Sequence, residues 1–495
     1  MENSRSLRAL LGQRAYEHVG DLDVAVAGVA YDSRRVEPGF VFVAVRGFVH
    51  DGLDFVGEAI ARGAVAVVAE SRLDPAELNV SVTVQIESAR STLAGLAAAW
   101  YHEPSESLQV AGITGTNGKT TVTALLEDMF AENSPSGRWS TTQVSIAGRS
   151  APTPRTTPEA LELQAALAEM LEADCAQVVI EVSSHAQRLQ RTAGTRFASA
   201  TFTNLSPDHL DFHADMDDYF DAKSTLFSTL DADALAIINY SDPRGAALAQ
   251  LSTGRVVGYG WADTEAEYRM TTFDSAPSGS RLVITTPAGD LELATPLFGR
   301  ANAENLAAAV ATALELGSGR EHVTKVVADF LGEPGRLQPI DAGQPFSVLV
   351  DFAHTPGALE AALEAARSIA SEGRVISVFG CGGDRHQGKR PMMGRIAAEA
   401  SDLTIVTSDN PRGEAPEAIA DAIVEGITPA DLGHVRVELD RAAAIRLAIA
   451  EAAQGDCVLI AGKGHETAQI FADRTVPFDD ARVAMQSLRQ LGVAE

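Results

Sequence analysis

The sequence has few cysteines, few basic residues and no long apolar run, and each shortage excludes a class of protein. Cys175, Cys381 and Cys457 are the only cysteines in the 495 residues. They are odd in number and far apart, so we expect no disulfide framework and no cysteine metal site. Lys and Arg number 39 against 67 Asp and Glu, a net charge of −28. Because binding to nucleic acid requires clustered basic residues, this balance argues against such a partner.

Neither a signal peptide nor a membrane span is predicted. Residues Met1–Glu17 lack the apolar core of a secretory signal. No uninterrupted apolar run reaches the roughly 20 residues that crossing a bilayer requires. We therefore expect a cytoplasmic protein that does not insert into membranes. The apolar fraction of 45% is sufficient for real hydrophobic cores, and the length allows about three domains.

Two polar segments that contain proline divide the chain into three predicted domains. His102–Ser107 and Glu333–Pro339 are typical of linkers, which gives domains at 1–107, 108–337 and 338–495. The first contains short strand-like runs, among them Val24–Val29, around one helix, Phe55–Ala61. In the third, strands alternate with helices, which predicts a doubly wound, Rossmann-like parallel sheet. We predict an α/β fold, with a P-loop ATPase-like parallel sheet in the central domain.

The central domain opens with a phosphate-binding loop. Residues Gly115–Thr121 read G-T-N-G-K-T-T and directly follow the apolar run Val110–Ile113. The backbone N–H groups of such a loop and the following helix N-terminus can hold phosphates, Lys119 can reach the β- and γ-phosphates, and Thr120 can ligate Mg²⁺. A general Walker A loop has glycine at the place of Ile113. The shorter form therefore indicates a narrower group of ATP-using enzymes.

Further candidate ligands lie downstream in the same domain. Glu181 ends an apolar strand, where phosphate-loop enzymes place an acid that orders a metal ion. The segment T-N-L-S-P-D-H-L-D-F-H then brings Asp208, His209, Asp211 and His213 within a few residues. Oxygen and imidazole ligands beside an ATP loop suit Mg²⁺ or Mn²⁺ better than Zn²⁺. Taken alone, a histidine such as His209 is more often a hydrogen-bonded structural residue. Beside an ATP loop and Glu181, the ligand and the structural interpretations of His209 are equally consistent with the sequence.

Polar clusters directly follow four predicted strands of the last domain. They read D-F-A-H-T-P at 351–356, G-C-G-G-D-R-H-Q-G-K-R at 380–390, S-D-N-P-R-G at 408–413 and G-K-G-H-E at 462–466. Loops at the carboxyl ends of parallel strands line one edge of the sheet, and open α/β sheets bind ligands there. Ordinary turns do not carry Arg, His, Asp and Glu in four such loops, so we predict a ligand site.

Taken together and in this order, the motifs resemble those of the Mur ligase family of peptidoglycan synthesis. Further segments carry the resemblance: D-S-R at 32–34, T-T-P-E at 156–159, E-V-S-S-H at 181–185, Y-F-D-A-K at 219–223 and P-G-R at 334–336. Within the family, the chain is similar to the enzymes that add the third residue of the stem peptide. The resemblance implies an N-terminal domain for the UDP moiety, a central domain for ATP and a C-terminal domain for the incoming amino acid.

The resemblance also implies roles for individual residues. It assigns ATP to Gly115, Thr116, Asn117, Gly118, Lys119, Thr120 and Thr121, with Asn305 at the adenine and Arg336 and Asp351 completing the site. It assigns the UDP-MurNAc-dipeptide to Ser33, Thr156, Thr157, Ser183 and Arg191. It makes Lys119, Glu181, His209 and Lys223 catalytic, and it places the metal on Thr120, Glu181, His209 and Lys223. Lys223 would be carbamylated to N6-carboxylysine, since a carbamate is an anionic oxygen ligand. Without the resemblance, Lys223 would be taken for a surface helix lysine.

The third amino acid is expected to be meso-2,6-diaminopimelate. In the family, the D-N-P-R motif goes with this substrate, which has a second carboxylate that L-lysine lacks. Two arginines, Arg385 and Arg412, can hold that carboxylate through charge-assisted, two-pronged hydrogen bonds, and Glu466 can accept from its ammonium group. The predicted diaminopimelate-binding residues are Arg385, Asp409, Asn410, Pro411, Arg412, Gly462 and Glu466.

The resemblance implies an ATP-dependent acid–amino-acid ligase. ATP would phosphorylate the γ-carboxylate of D-Glu in UDP-MurNAc-L-Ala-D-Glu, and the amine of the diamino acid would attack the acyl phosphate. Three alternatives stay open: the same reaction with L-lysine or another diamino acid, a folylpolyglutamate synthase-like ligase, and a non-catalytic P-loop regulator or transport ATPase subunit. We expect a monomer.

The chain departs from the family pattern in three places. His386 stands where the family has an acid after G-D-R, and Gln338 stands where the hinge often has Glu. The segment R-W-S-T-T-Q at 138–143 replaces a run of small apolar residues. None of these departures removes a predicted catalytic group, but each changes a local contact.

Overall fold

Each third of the chain builds a parallel or largely parallel sheet with helices packed on it. The computed structural model describes residues 5–276, 279–370 and 372–492. The predicted α/β class is confirmed, and the three sheets follow one another along the chain. We propose the domain boundaries 1–107, 108–337 and 338–495 because the short 3₁₀ turn Pro104–Glu106 separates the first two sheets. The strand Gln338–Pro339 already pairs with the last one.

The first sheet has five strands within the described residues. In spatial order they are Glu17–Gly20, Val82–Gln85, Ala66–Ala69, Phe40–Val43 and Gly28–Ala30. The edge strand Glu17–Gly20 is antiparallel to its neighbour, and the other pairs are parallel. The helices of this part are Leu7–Leu11, Val56–Ala61, Pro75–Leu78 and Ala89–Trp100.

The sequence reading of this part missed several elements, among them a strand and a long helix, and joined two short strands into one. The exposed strand Glu17–Gly20 has no apolar alternation to reveal it. The helix Ala89–Trp100 does carry a signal, because Ser88 caps it by accepting from the backbone N–H of Ser91. The predicted strand Val24–Val29 is split: Ala25–Val26 pairs with Arg5–Ser6, whereas the main sheet takes Gly28–Ala30.

The central sheet has eleven strands in the described part of the chain, and seven of them are parallel. In order, the parallel strands are Ser136–Trp139, Gln177–Glu181, Gln109–Thr114, Ser199–Phe202, Leu235–Asn239, Arg255–Trp261 and Tyr268–Ala276. Antiparallel strands extend both edges, namely Gln143–Ile146, Arg149–Pro152, Gly279–Thr286 and Gly289–Thr295. The helices are Lys119–Phe130, Ala160–Glu172, Ser184–Arg188, Met216–Ser228, Gly245–Leu251, Arg300–Glu315 and Arg320–Asp329.

The strand before the phosphate loop is at the centre of this sheet. Gln109–Thr114 lies between Gln177–Glu181 and Ser199–Phe202, with its apolar residues buried on both faces. The alanine-rich helix Arg300–Glu315 packs on the phosphate-loop helix Lys119–Phe130. Because small alanines let two helices approach closely, residues of Arg300–Glu315 reach the loop itself.

The last sheet has the doubly wound arrangement that the sequence predicted. The described strands, in order, are Gln338–Pro339, Ser347–Asp351, Cys457–Ala461, Val375–Phe379, Leu403–Val406 and Val435–Val437, and all but the first pair are parallel. Helices on both faces bury two separate apolar clusters. They are Pro356–Ala370, Lys389–Ala400, Pro416–Val424, Arg441–Glu451 and Asp480–Gln490.

A buried ion pair ties the last two helices to the strand ends. The side chains of Arg441 and Asp480 are both fully buried, with the guanidinium Nη2 2.7 Å from Asp480 Oδ2. Arg441 also donates to the backbone carbonyls of Ser408 and Ala461, at 3.4 and 2.9 Å. Ser408 follows strand Leu403–Val406 and Ala461 ends strand Cys457–Ala461, the two strands on either side of Val375–Phe379. The ion pair therefore holds the loops that begin at both strand ends. No helix among the described residues is both long and apolar enough to cross a membrane.

Candidate active site

The phosphate loop adopts a backbone that requires glycine at two positions. Gly115 and Gly118 have φ values of +148° and +86°, in the region that disfavours other residues. A side chain at Gly115 would also meet Thr203 Oγ1, and one at Gly118 would meet Asn305 Oδ1. Asn305 therefore lies directly against the loop. The predicted nucleotide residues Gly115, Thr116, Asn117, Gly118, Lys119, Thr120, Thr121 and Asn305 are thus brought together.

The segment after strand Ser199–Phe202 supports this loop. Thr203 Oγ1 donates to the Asn117 carbonyl at 2.6 Å, and Asn204 Oδ1 accepts from the Asn117 N–H at 2.9 Å. Thr116 Oγ1 accepts from the Ser206 N–H at 3.0 Å. The first residues of T-N-L-S-P-D-H therefore hold the shape of the loop, a role that sequence reasoning did not assign to them.

Two lysines converge on one carbonyl of the loop. Lys119 Nζ and Lys223 Nζ donate to Gly115 O at 3.0 and 2.7 Å. Lys223 is buried, and its Nζ lies 4.4 Å from the ring centroid of Tyr219. Burial, together with the neighbouring Lys119, lowers the pKa of Lys223 well below its ordinary value. Burial also lowers the pKa of Lys119, which Glu181 partly opposes. Burial and the neighbouring Lys119 both favour the uncharged form of the Lys223 amine.

Glu181 is wholly buried, and both of its oxygens accept hydrogen bonds from one residue. Thr141 donates its backbone N–H to Oε1 and its hydroxyl to Oε2, each at 3.0 Å. Thr141 lies in the segment at 138–143 that departs from the family pattern. Thr141 could not be singled out from the sequence, because its contact depends on strand Ser136–Trp139 lying beside Gln177–Glu181.

Four of the residues predicted to bind the dipeptide surround Glu181. Thr157 Oγ1 donates to the backbone carbonyl of Glu181 at 2.7 Å and accepts from the Ser183 N–H at 3.1 Å. Thr156 Oγ1 accepts from Thr141 at 3.1 Å. Arg191 Nη1 donates to the Thr157 carbonyl at 3.1 Å, and its buried Nε has no hydrogen-bond partner among the described residues.

Ser33 lies apart from this group, in the first domain. Its hydroxyl donates to Glu58 Oε2 at 2.8 Å, and the neighbouring Tyr31 and Arg35 each contact Glu162 of the central domain at 2.9 Å. The predicted UDP residue is therefore next to the interface between the first two domains. It does not join the cluster around Glu181.

The two histidines of the T-N-L-S-P-D-H-L-D-F-H segment have different surroundings. His213 is buried, with Nε2 2.9 Å from Ser184 Oγ and Nδ1 3.2 Å from Asp218 Oδ2. Both ring nitrogens thus have protein partners, and His213 is a structural residue. His209 has φ +56°, and its Nε2 lies 3.5 Å from Asp208 Oδ2. Burial lowers the pKa of His209 to about 4, so its imidazole is neutral.

The chemistry of this donor set fits a divalent cation. Glu181 offers a buried carboxylate, Thr120 a hydroxyl and His209 a neutral imidazole, which is the form that binds metals. Within the described ranges, no group of three or more His, Cys, Asp or Glu side chains is close enough to hold an ion by itself. A site made only of these acids and histidines is therefore incomplete, which leaves room for a ligand of another kind such as a modified Lys223.

The hinge brings the predicted nucleotide residue Arg336 to the phosphate-loop helix, and Asp351 holds the backbone that follows Arg336. Arg336 Nη2 donates to Thr120 Oγ1 at 3.2 Å, and its guanidinium carbon lies 4.7 Å from the ring centroid of Phe352. Asp351 accepts from the N–H groups of Leu337 and Ala353, at 2.7 and 2.8 Å. Burial raises the pKa of Asp351, and Arg336 partly opposes the shift.

A cleft of ≈ 270 Å³ lies between the central and C-terminal domains. Asp208 and His209 line it from one side, and four strand-end loops of the last sheet line it from the other. Its walls include six of the seven predicted amino-acid-binding residues: Arg385, Asp409, Asn410, Arg412, Gly462 and Glu466. Pro411 is buried behind them in the same loop. His386, one of the three departures, also lines the cleft.

The D-N-P-R loop is held in a defined geometry. Asn410 donates to Glu466 at 2.7 Å and accepts from Lys463 Nζ and the Ile470 N–H, both at 3.0 Å. Arg412 has φ +53° and donates Nη1 to the Gly383 carbonyl at 2.8 Å. Asn410 therefore positions Glu466, and the guanidinium of Arg412 keeps N–H groups for a ligand.

Two acids that sequence reasoning did not assign join this loop to its neighbour. Asp384 accepts from the Gly413 N–H at 2.9 Å, and Glu414 accepts from the Asp384 N–H at 2.7 Å. Glu414 also binds the buried Arg390 through both oxygens, at 2.8 and 2.9 Å.

Cys381, in the loop that follows strand Val375–Phe379, is buried, and its sulfur lies 3.7 Å from that of Met393. Burial raises the pKa of Cys381 to about 12.

Family models match all three parts of the chain. They are described as the Mur ligase family, catalytic domain (residues 25–101), the Mur ligase middle domain (113–313) and the Mur ligase, glutamate ligase domain (335–464). The chain is also 46% identical over 470 residues to a UDP-N-acetylmuramoyl-L-alanyl-D-glutamate--2,6-diaminopimelate ligase of Gloeobacter violaceus, covering 94% of both chains. The chain belongs to the Mur ligase family.

Solved structures agree with this membership. One, described as a UDP-N-acetylmuramoyl-L-alanyl-D-glutamate--2,6-diaminopimelate ligase, is 30% identical with a TM-score of 0.71 and covers 99% of both chains. A folylpolyglutamate synthase of Mycobacterium tuberculosis, complexed with ADP and AMPPCP, is 19% identical with a TM-score of 0.62 and covers 81% of this chain and 95% of its own. That likeness shows the fold alone. The prediction of an ATP-dependent ligase is confirmed for this Mur ligase. The alternative of a non-catalytic P-loop regulator or transport ATPase subunit is excluded.

The buried His213 predicts how the stability of this Mur ligase depends on pH. Burial lowers the pKa of His213 to about 4. The unfolded chain therefore takes up a proton below about pH 6.5 that the folded chain refuses, and the free energy of unfolding falls as the pH drops from there to about 4. One such group contributes up to about 3 kcal/mol of this loss. Urea denaturation across this pH range should give a shallower slope for His213→Gln than for the wild type.

The exposed His18 offers a matched control. His18→Gln should leave the slope as in the wild type, since the replaced side chain lies on the surface. An unchanged slope in His213→Gln would contradict the prediction.

Proposed function

We propose that this Mur ligase joins meso-2,6-diaminopimelate to the D-Glu γ-carboxylate of UDP-MurNAc-L-Ala-D-Glu, with ATP as the energy source. One observation carries the proposal. The cleft places the D-N-P-R loop, Arg385 and Glu466 opposite Asp208 and His209 of the ATP domain. An amino acid held there would have its amine directed toward the phosphate loop. The names of the 30–46% identical relatives support the same substrate. We further propose a cytoplasmic monomer.

The phosphate loop and its neighbours would bind ATP and steady the developing charge. The N-terminus of helix Lys119–Phe130 and the loop N–H groups favour phosphate oxygens. Lys119 is folded onto the Gly115 and Thr116 carbonyls, at 3.0 and 2.9 Å. It would exchange these contacts for phosphate when the nucleotide binds. Arg336 of the hinge, which donates to Thr120 Oγ1, would add a second positive charge beside the phosphates.

Thr120, Glu181, His209 and carbamylated Lys223 would hold Mg²⁺, which when bound neutralises phosphate charge and orders the carboxylate that is phosphorylated. The protein groups prepare this arrangement in advance. Thr141 fixes both oxygens of Glu181, so that carboxylate does not rotate. Thr157, Ser183 and Arg191 sit beside it, where they would hold the dipeptide with its γ-carboxylate near the phosphate loop.

The far end of the amino acid would be recognised by charge. Arg412 and Arg385 would hold the distal carboxylate of diaminopimelate, and Glu466 with Asp409 would accept from its ammonium group. Glu466 is itself oriented by Asn410 and Lys463, at 2.7 and 2.9 Å. L-lysine has no distal carboxylate and would leave two arginines unpaired in the cleft. That difference favours diaminopimelate over the lysine alternative.

An assay of ADP release tests the reaction itself. With ATP and UDP-MurNAc-L-Ala-D-Glu, release should depend on added meso-diaminopimelate and exceed that with L-lysine at least ten-fold, because two charge-assisted contacts are lost with lysine. Equal rates with both amino acids would replace the proposal by the lysine alternative. ADP release that needs no amino acid would contradict ligation altogether.

Replacement of Arg412 tests whether this residue binds the distal carboxylate of the amino acid. Arg412→Ala should raise the KM for diaminopimelate ten-fold to over a hundred-fold, since a charge-assisted hydrogen bond contributes about 1.5–3 kcal/mol. The KM values for ATP and the UDP-dipeptide should change little. Arg412→Lys should rescue only part, because an ammonium group cannot make the planar two-pronged contact.

The exposed Arg395 on helix Lys389–Ala400 provides the control. Arg395→Ala should leave all three KM values as in the wild type. If Arg412→Ala lowers activity with diaminopimelate and L-lysine equally, Arg412 does not read the distal carboxylate.

The burial of the Lys223 amine beside the phosphate loop predicts a carbamate. Only an unprotonated amine attacks CO₂, and burial favours that form by lowering the pKa of Lys223. Protein equilibrated with ¹³C-bicarbonate near pH 8 should therefore show a carbamate carbon signal by NMR that fades on acidification. Lys223→Ala should lack the signal and most of the turnover, and short carboxylic acids should restore part of the turnover. Lys325→Ala, at an exposed lysine, should keep both. A signal that persists in Lys223→Ala would assign the carbamate elsewhere.

A further inference from the structure

Strand Ser136–Trp139 carries a buried arginine in the interior of the central domain. The Arg138 side chain is 3% exposed and lies between two carboxylates from different elements. Glu127 belongs to the phosphate-loop helix Lys119–Phe130, and Glu333 begins the E-P-G-R hinge. Arg138 is also the first residue of the segment that departs from the family pattern. A charged group in this place calls for an explanation, because isolated burial of a guanidinium is costly.

The contact with the hinge is a directed hydrogen bond. Arg138 Nη1 donates to Glu333 Oε1 at 2.9 Å, and Thr142 Oγ1 donates to the other oxygen of Glu333 at 3.4 Å. The contact with Glu127 is of another kind. Nε lies 2.9 Å from Glu127 Oε2, but it makes no hydrogen bond with acceptable angles, so this contact is an ion pair only. Arg138 thus orients Glu333 more firmly than it orients Glu127.

Both ends of this contact lead to the candidate active site within three residues. Three residues after Glu333, Arg336 donates to Thr120 Oγ1 at 3.2 Å. Three residues after Arg138, Thr141 holds both oxygens of Glu181. The Arg138–Glu333 pair therefore joins the segment that positions Arg336 to the segment that positions Glu181.

Stability alone does not account for the pair. Replacing a buried ion pair by apolar groups of similar size is often neutral or stabilising. Position 138 lies within a buried strand, where an aliphatic side chain would pack without desolvating a charge. What an aliphatic side chain would not supply is a directed bond to the hinge carboxylate.

We propose that Arg138 is a positioning residue for nucleotide binding and turnover. It fixes the start of the hinge to the central sheet, so that Arg336 reaches the phosphate-loop helix, and it steadies the loop through which Thr141 holds Glu181. The inference rests on the proposed function, since it assigns Arg336 and Glu181 to the ATP side of the ligase. Arg138 itself touches neither residue.

The test compares kinetic constants with nucleotide affinity and thermal stability. Glu333→Gln keeps the Arg138–Glu127 pair and the shape of the hinge side chain. It should raise the Kd for ADP about three- to ten-fold by calorimetry and lower kcat by a similar factor. Arg138→Met should change both in the same direction by at least ten-fold. The KM for the diamino acid should stay within about two-fold, because its binding loops lie on the last sheet. These factors correspond to the loss of one to two hydrogen bonds.

A charge-free variant separates positioning from mere stability. Arg138→Met combined with Glu127→Gln and Glu333→Gln leaves no unpaired buried charge, so it should melt close to the wild-type temperature. If Arg138 positions the hinge, this triple variant still binds ADP weakly and turns over slowly. If it regains wild-type ADP affinity and kcat together with its stability, the pair is structural and the proposal is overturned.

Two further comparisons keep the outcomes distinct. Arg374→Met removes a different ion pair, with Asp456 at 2.8 Å. That pair lies at the amino ends of strands Val375–Phe379 and Cys457–Ala461, away from the cleft, so its loss should leave ADP affinity and kcat unchanged. ADP affinity is measured without the other substrates. Wild-type enzyme that binds ADP but ligates nothing would therefore refute the proposed function. An ADP affinity that is equal in wild type, Glu333→Gln and Arg138→Met would refute the positioning role.

Discussion

The candidate site depends on one constraint: two parallel sheets present the carboxyl ends of their strands to the same cleft. In the central sheet, Thr114 and Glu181 end neighbouring strands, and the phosphate loop begins at once. In the last sheet, Asp351 and Ala461 end paired strands. Side chains far apart in sequence therefore meet without any long loop having to fold over the site. The hydrogen bond from Arg336 to Thr120 ties the last residues of the central domain, just before the boundary, to the phosphate-loop helix.

Local sequence patterns predicted many of the strands, the phosphate loop and most of the residues that line the cleft, because these depend on neighbours in the chain. Gly115 and Gly118 are required by the backbone itself, and the D-N-P-R loop follows an apolar run. Contacts between elements were not predictable in this way. Thr141 acquires its partner Glu181 only through the pairing of two strands. His213 could equally have been a ligand until both of its ring nitrogens were found to have partners.

Several buried charged and amide side chains hold the loops around the site. Arg441 and Asp480 hold the loops at two strand ends. Lys463 and Asn410 orient Glu466, and both Lys463 and Asn410 are almost fully buried. Such groups contribute little net stability, because desolvation offsets much of their attraction. What they provide is a single geometry for loops that would otherwise have several. The apolar clusters on both faces of each sheet supply the stability that these groups do not.

The burial of the cysteines has a consequence for how the protein can be attacked chemically. Cys381 lies beneath the cleft loops, and burial raises the pKa of Cys381 and Cys457 to about 12 and that of Cys175 above its usual value. The thiolate, which is the nucleophilic form, is then nearly absent at neutral pH. Electrophilic inhibitors and mild oxidants should therefore react slowly or not at all with the three cysteine sulfurs. A covalent inhibitor of this cleft would need a different anchor, such as the exposed imidazole of His386 at its wall.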